Sequence, residues 1–197
     1  TALEEWNSGG WMNLNESLAL EYLQPLAAHV HANDRHLQVW ASPNYNGNST
    51  LHPQAQSPQA YAAYWERVWT LAPDFGFIAV QDARGYNGNT DAMVAADLKE
   101  LRKSAQSSGR ELYSNVELFQ GWPSGCTYPG PCGRHPAPIE RVVKQIQNEA
   151  AIVDGRLVAW EWRSCLSPYT NDATAALFRE YLKYLQRARG QAPPQRP

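Results

Sequence analysis

Phe75-Gly76-Phe77-Ile78-Ala79-Val80-Gln81-Asp82 is a near-continuous apolar run closed by an acid. Its length suits a strand, and its lack of alternation suits a strand buried on both faces, as in a parallel sheet. A carboxylate at the end of such a rod is costly to bury unless it finds a partner or a use. The pattern recurs along the chain. Glu117 stands inside Asn115-Val116-Glu117-Leu118-Phe119, Glu161 lies between Trp160 and Trp162, and Glu16 follows another short segment rich in Gly, Trp and Asn. Acids that return once per strand, with helical periodicity between them, are expected where successive strand-helix units deliver side chains to one end of a parallel sheet.

Working outward from that run, helical spacing and stop signals set the remaining elements. Leu20, Leu23, Ala27 and Val30 recur at helical spacing after Ser17, with Pro25 forcing a kink or a late start. A strand is predicted from His36 to Ala41, and Ser57-Pro58 opens a helix to about Ala72, with proline at its first position. Val94, Leu98, Leu101 and Ala105 form one face of a helix from Asp91 to Ser107, stopped by Gly109. A strand from Glu111 to Phe119, a helix from Ala137 to about Ala151, a strand from Leu157 to Trp162 and a helix from Asp172 to about Arg189 complete the order.

Short strands joined through helices need crossovers, and crossovers force parallel pairing. A doubly wound open sheet would carry a glycine-rich phosphate turn, and Arg84-Gly85-Tyr86-Asn87-Gly88 lacks its spacing. The expected class is therefore α/β: a parallel (β/α) TIM-barrel-like domain over residues 1–190, complete or incomplete, with about four to five βα units. Residues 191–197 are proline-rich and polar, a tail or linker. A start at Thr1 fits a processed chain or a piece of something longer.

Composition narrows the partners. The chain has 197 residues, 43% of them hydrophobic, enough for one core. A net charge of -2, from 17 basic and 19 acidic residues, leaves no basic footprint for nucleic acid. No apolar stretch reaches the ~20 residues of a membrane span. Eight Trp and ten Tyr against four Phe favour rings with a polar handle, as carbohydrate clefts and ordinary interfaces do. Trp65 and Trp69 share a predicted helix with Tyr61 and are read as packing, whereas Trp11, Trp122 and Trp162 lie near the acids and are cleft candidates.

Cys126 and Cys132 bracket Thr127-Tyr128-Pro129-Gly130-Pro131, a loop able to fold back and oxidise. A disulfide there would place the protein outside the cytoplasm, secreted or periplasmic. The rival, a zinc site from Cys126, Cys132, Cys165 and His135, has a gap too long for the usual C-x2-4-C spacing. His29 and His31 sit two apart on a helix and do not face together. No metal and no cofactor is expected.

Gly10-Trp11-Met12-Asn13-Leu14-Asn15-Glu16, Ser42-Pro43-Asn44-Tyr45, Gln81-Asp82-Ala83-Arg84-Gly85, Asn115-Val116-Glu117-Leu118-Phe119 and Ser167-Pro168 stand in order along the chain. In these segments it resembles an uncharacterised, glycoside-hydrolase-like TIM-barrel family of bacterial proteins. That family's strand ends run G-W-Y-x-P-x-E, S-P-Y, Q-D-x-x-G and E-x-F; here Met12 stands for Tyr, Leu14 for Pro, and Asn44 precedes the Tyr. The resemblance implies a barrel whose fourth strand falls near the start of this chain, with a partner chain or self-association covering the open sheet edges.

It also implies glycosidase chemistry on a poly- or oligosaccharide, with Glu16 as acid/base and Glu117 as nucleophile or stabilising base. Asn115 shares a strand face with Glu117 and would orient it or a sugar hydroxyl. Asn44, Tyr45, Asp82 and Glu161 would bind hydroxyls, and Trp11, Trp122 or Trp162 would stack on sugar rings. Each acid has a quieter reading: Glu16 as a helix cap, Asp82 as a turn cap before Gly85, Glu117 in an ion pair, Glu161 turned to helices or solvent. A non-catalytic carbohydrate-binding barrel and a structural half-barrel needing a partner are the alternative functions.

Overall fold

In the computed structural model of the protein, residues 18–45, 47–49, 55–85, 88–120 and 135–190 are described. A wide turn of π-helical pitch, Leu18–Leu23, leads into helix α1, Gln24–Asn33. Pro25 sits in the first turn of α1, where a missing N–H costs nothing. Of the kink or late start expected from Pro25, the regular α-helix shows the late start. There follow β1 (Val39–Ala41), α2 (Pro58–Leu71), β2 (Phe75–Gln81), α3 (Asp91–Ser107) and β3 (Leu112–Glu117). A short antiparallel pair, β4 (Phe119–Gln120) with β5 (His135–Pro136), precedes α4 (Ile139–Ala150), β6 (Leu157–Trp160), a π-pitched turn at Trp162–Leu166, and α5 (Asp172–Ala188).

The helix starts follow local chemistry. Ser57 Oγ accepts the Ala60 amide at 3.2 Å ahead of Pro58, and Thr90 Oγ1 accepts the Met93 amide at 3.3 Å. At α5 the capping oxygen belongs to Asn171, which accepts the Thr174 amide at 3.0 Å; Asp172 is the first helical residue, where its charge suits the dipole.

Strands β1, β2, β3 and β6 lie side by side in that order, every pair parallel, with Trp40 opposite Phe77, Gln81 opposite Asn115, and Glu117 opposite Trp160. The sheet curls into half of a barrel with helices on its outer side. Ile78, Val80 and Leu112 face outward into a core shared with Trp65, Val68, Leu98 and Leu101 of α2 and α3. A second cluster joins Val116 to Val142 of α4, Leu166 and Leu177 of α5. Tyr61, Trp65 and Trp69 are packing residues as predicted, with Trp65 wholly buried against the rings of Tyr61, Tyr64, Trp69 and Phe75.

The opposite, concave face carries the alternate residues. Trp40, Phe77 and Tyr113 stack in a row across three strands, with ring centroids 5.6 and 4.4 Å apart. Trp40 remains 48% exposed. No described helix is long and apolar enough to cross a membrane.

Trp65→Ala is expected to cost ~3–5 kcal/mol, because it empties the centre of the ring cluster that joins α2 to β2. Urea denaturation followed by circular dichroism measures it.

Candidate functional site

The C-terminal ends of β2 and β3 bring the site together. Asn115 and Glu117 alternate with Val116 along β3, so both turn toward the concave face while Val116 enters the outer core. Asn115 donates from Nδ2 to Ser42 Oγ at 2.7 Å, and Ser42 donates in turn to the Ala79 carbonyl at 2.8 Å. Gln81 Nε2 donates to the Ser42 carbonyl at 2.8 Å, which ties the segment after β1 to β2. Asn115 Oδ1 is buried with no hydrogen-bond partner among the described residues. It is an acceptor without a donor beside a carboxylate.

Glu117 is 1% exposed, and its Oε2 accepts the Gly85 amide at 2.7 Å. At that distance the amide makes a full hydrogen bond to the carboxyl oxygen. The chain reaches it through Asp82-Ala83-Arg84-Gly85, with Ala83 in the left-handed region at φ 52°. Gly85 itself passes so close to Phe119 that an added Cβ would lie 2.3 Å from the Phe119 carbonyl oxygen. Only glycine fits that crossing. The next turn is fixed by Asn89, whose Nδ2 donates to the carbonyls of Tyr45 at 3.0 Å and Asp82 at 3.1 Å. Arg84 donates to the Asn89 carbonyl and pairs with Asp91 at 2.9 Å.

Asp82 continues the outward parity of Ile78 and Val80 and is 2% exposed. Its Oδ1 accepts the amides of Arg84 and Glu117, each at 3.2 Å, and its Oδ2 accepts from Gln145 on α4. The turn-capping contact to Arg84 is the one its position before Gly85 suggested. Arg141, also on α4, donates to the carbonyls of Glu117, at 3.0 Å, and Phe119. Burial pulls the Arg141 guanidinium below its ordinary value, opposed by the carboxylates of Asp82 and Glu117.

The other expected contacts fall in different surroundings. Tyr45 is buried in the outer core against Tyr61, 5.2 Å between ring centroids. Burial, and then the charge of Asp97, push its phenol above the ordinary range. Asn44 bridges Gln81, and its carbonyl accepts the Tyr61 hydroxyl at 3.3 Å. Glu161 is half-buried and accepts from Ser164 Oγ. Trp162 is 54% exposed with its ring edge-to-face on Phe178 of α5. Its neighbour Trp160 instead shares the register of Glu117. Trp11, Glu16, Trp122, Cys126 and Cys132 lie outside the described residues, as does the 191–197 tail. Among the described residues no group of acids, His and Cys is arranged to hold a metal ion.

Ser42, Gln81, Arg141, Gln145 and Glu149 were not singled out from the sequence. The readable signal was on α4, where Gln145 and Glu149 occupy the same helical face as the core residue Val142. Polar side chains at core positions need polar partners.

A family model for a domain of unknown function, DUF4434, matches residues 5–172. The chain belongs to the DUF4434 family. Among solved structures, a Bacteroides thetaiotaomicron protein described as a putative alpha-L-fucosidase superposes with a TM-score of 0.69 at 16% identity. The match covers 85% of this chain and 50% of that one, so this member of the family spans about half the length of that structure. The likeness is one of fold. No curated protein matches the chain.

Gly85→Ala is expected to destabilise by ~1–3 kcal/mol through overpacking against Phe119. Hydrogen exchange of the residue-85 amide, protected in the parent by Glu117, should accelerate in the variant.

Proposed function

We propose that this DUF4434 domain is a glycoside hydrolase acting on a poly- or oligosaccharide, with Glu117 as its reactive carboxylate. The observation that carries the reading is Glu117 itself: a carboxylate at the C-terminal end of a parallel strand, facing the concave side, held by a backbone N–H at 2.7 Å. Barrel enzymes keep their chemistry at that end of the strands. Glycosidic cleavage passes through an oxocarbenium-like transition state, which an oriented anion stabilises or attacks. Asn115, with its unpartnered Oδ1, is suited to accept a sugar hydroxyl beside it. Glu16 is proposed as the acid/base on the first of the motifs, with Trp11 and Trp122 as stacking rings. Asn44, Glu161 and Trp162 remain proposed contacts at the rim, and Tyr45 and Asp82 act through packing and through the turn that carries Gly85.

The fold shared with the Bacteroides fucosidase-like protein makes α-L-fucosides the first substrates to try. The edges at β1 and β6 are where further barrel units or a partner chain would complete the cleft. A Cys126–Cys132 disulfide and an extracytoplasmic location belong to the same proposal.

A carbohydrate-binding barrel without turnover is the second reading. The 1% exposure of Glu117 favours it, because a nucleophile must meet its substrate.

Glu117→Gln is expected to lower turnover on a panel of α-L-fucosides and polysaccharides by roughly 10²–10⁴-fold while leaving sugar binding in place. Unchanged turnover in the variant removes Glu117 from the chemistry. Sugar binding by the parent without hydrolysis selects the second reading. Thiol titration of the unfolded, unreduced chain is expected to find one thiol, Cys165, of the three cysteines; three free thiols would defeat the disulfide.

A further inference from the structure

On the helix side of the sheet, directly behind Glu117, two carboxyl groups meet out of water. Asp82 is 2% and Glu149 3% exposed, and the two are in hydrogen-bond contact. Neither is ion-paired among the described residues. Two ionised carboxylates in that position would repel strongly, so one proton stays with the pair. The donors around them show where. Three N–H groups converge on Asp82, from the amides of Arg84 and Glu117 and the side chain of Gln145, as an ionised acceptor requires. Glu149 receives one hydroxyl, Ser114 Oγ, at 2.5 Å on Oε2. Its other oxygen is then available to carry the proton.

We propose that Glu149 is a positioning residue: it stays neutral and donates its proton to an ionised Asp82, and the pair clamps the turn that places the Gly85 amide on Glu117. Asp82 grips the amide of Glu117 on one side and that of Arg84 on the other, so its orientation fixes both partners of the Gly85–Glu117 contact at once. The charged and titratable groups around the pair are Arg84, paired to Asp91 of α3; Glu117 of β3; Arg141 on α4 itself; and the Cys165 thiol, which lies toward Arg141. Arg84 and Arg141 spend the hydrogen bonds described for them on backbone carbonyls and Asp91, which leaves Asp82 to be satisfied by neutral donors. The consequence for turnover rests on the reading of Glu117 as the reactive carboxylate; the clamp does not.

Burial, and then the charge of Asp82, push the Glu149 carboxyl up to about 9. In the unfolded chain it ionises as an ordinary carboxylate. Between those values the folded state holds a proton that the unfolded state has lost, so this group's contribution to stability is complete at low pH and is lost as pH rises toward 9. Glu149→Gln mimics the neutral acid: its amide N–H donates to Asp82 and its carbonyl accepts from Ser114.

The test compares parent, Glu149→Gln and Glu149→Ala by thermal unfolding across pH and by carbon NMR titration of the carboxyl groups. Glu149→Gln should melt several degrees above the parent at about pH 8 and together with it at about pH 4, while Glu149→Ala melts below both throughout. The parent should show a buried carboxyl titrating far above the ordinary range, and this signal should vanish in Glu149→Gln. If a sugar is hydrolysed, Glu149→Gln should keep kcat and Glu149→Ala lose it. A Glu149 carboxyl that titrates in the ordinary range, or a Gln variant that melts with the Ala variant, overturns the proposal. Absence of turnover in the parent would defeat the glycosidase reading and leave the melting and titration results to decide the clamp.

Discussion

A carboxylate taken out of water has to be met by donors, and at the ends of β2 and β3 the chain is organised around meeting Asp82. Its two oxygens collect the amide of the next turn, the amide at the end of the neighbouring strand and a side chain from the covering helix. Those contacts join three elements that are distant in sequence. The donors on Asp82 favour one arrangement of these elements, because a slip would strand its carboxyl in a medium that cannot solvate it. The turn through Ala83 and the crossing of Gly85 over Phe119 are consistent only with that arrangement.

Much of the architecture was legible because parallel strands and amphipathic helices write themselves plainly. The strand Phe75–Gln81 and the helix Asp91–Ser107 have the bounds their patterns predict, since both faces of the strand and one face of the helix are apolar and their ends carry caps or stops. The first and last strands are shorter than predicted, Val39–Ala41 and Leu157–Trp160, because each has a neighbour on one side only in the described sheet and pairing, unlike hydrophobicity, ends where the partner ends.

Side-chain direction was less legible. Strand spacing places Asn115 and Glu117 on one face, but spacing alone does not say which face is concave, and Asp82 lies on the opposite parity from its partners in the motif. The family resemblance put Tyr45 among the sugar contacts, whereas its ring packs in the cluster under α2. Glu149 was hidden for another reason. An acid on a helix reads as surface by default, and only its place on the helical face of Val142 marks it as covered.

The donor that holds Glu117 belongs to the main chain. Proline apart, no replacement at position 85 deletes it chemically; other residues can only push it aside, and any residue larger than glycine does so by striking Phe119. An anchor of that type is insulated from drift in polarity and exposed to drift in size. Across descendants of this sequence, variation at position 85 would report the surrender of the anchored carboxylate more sharply than variation in the acids around it.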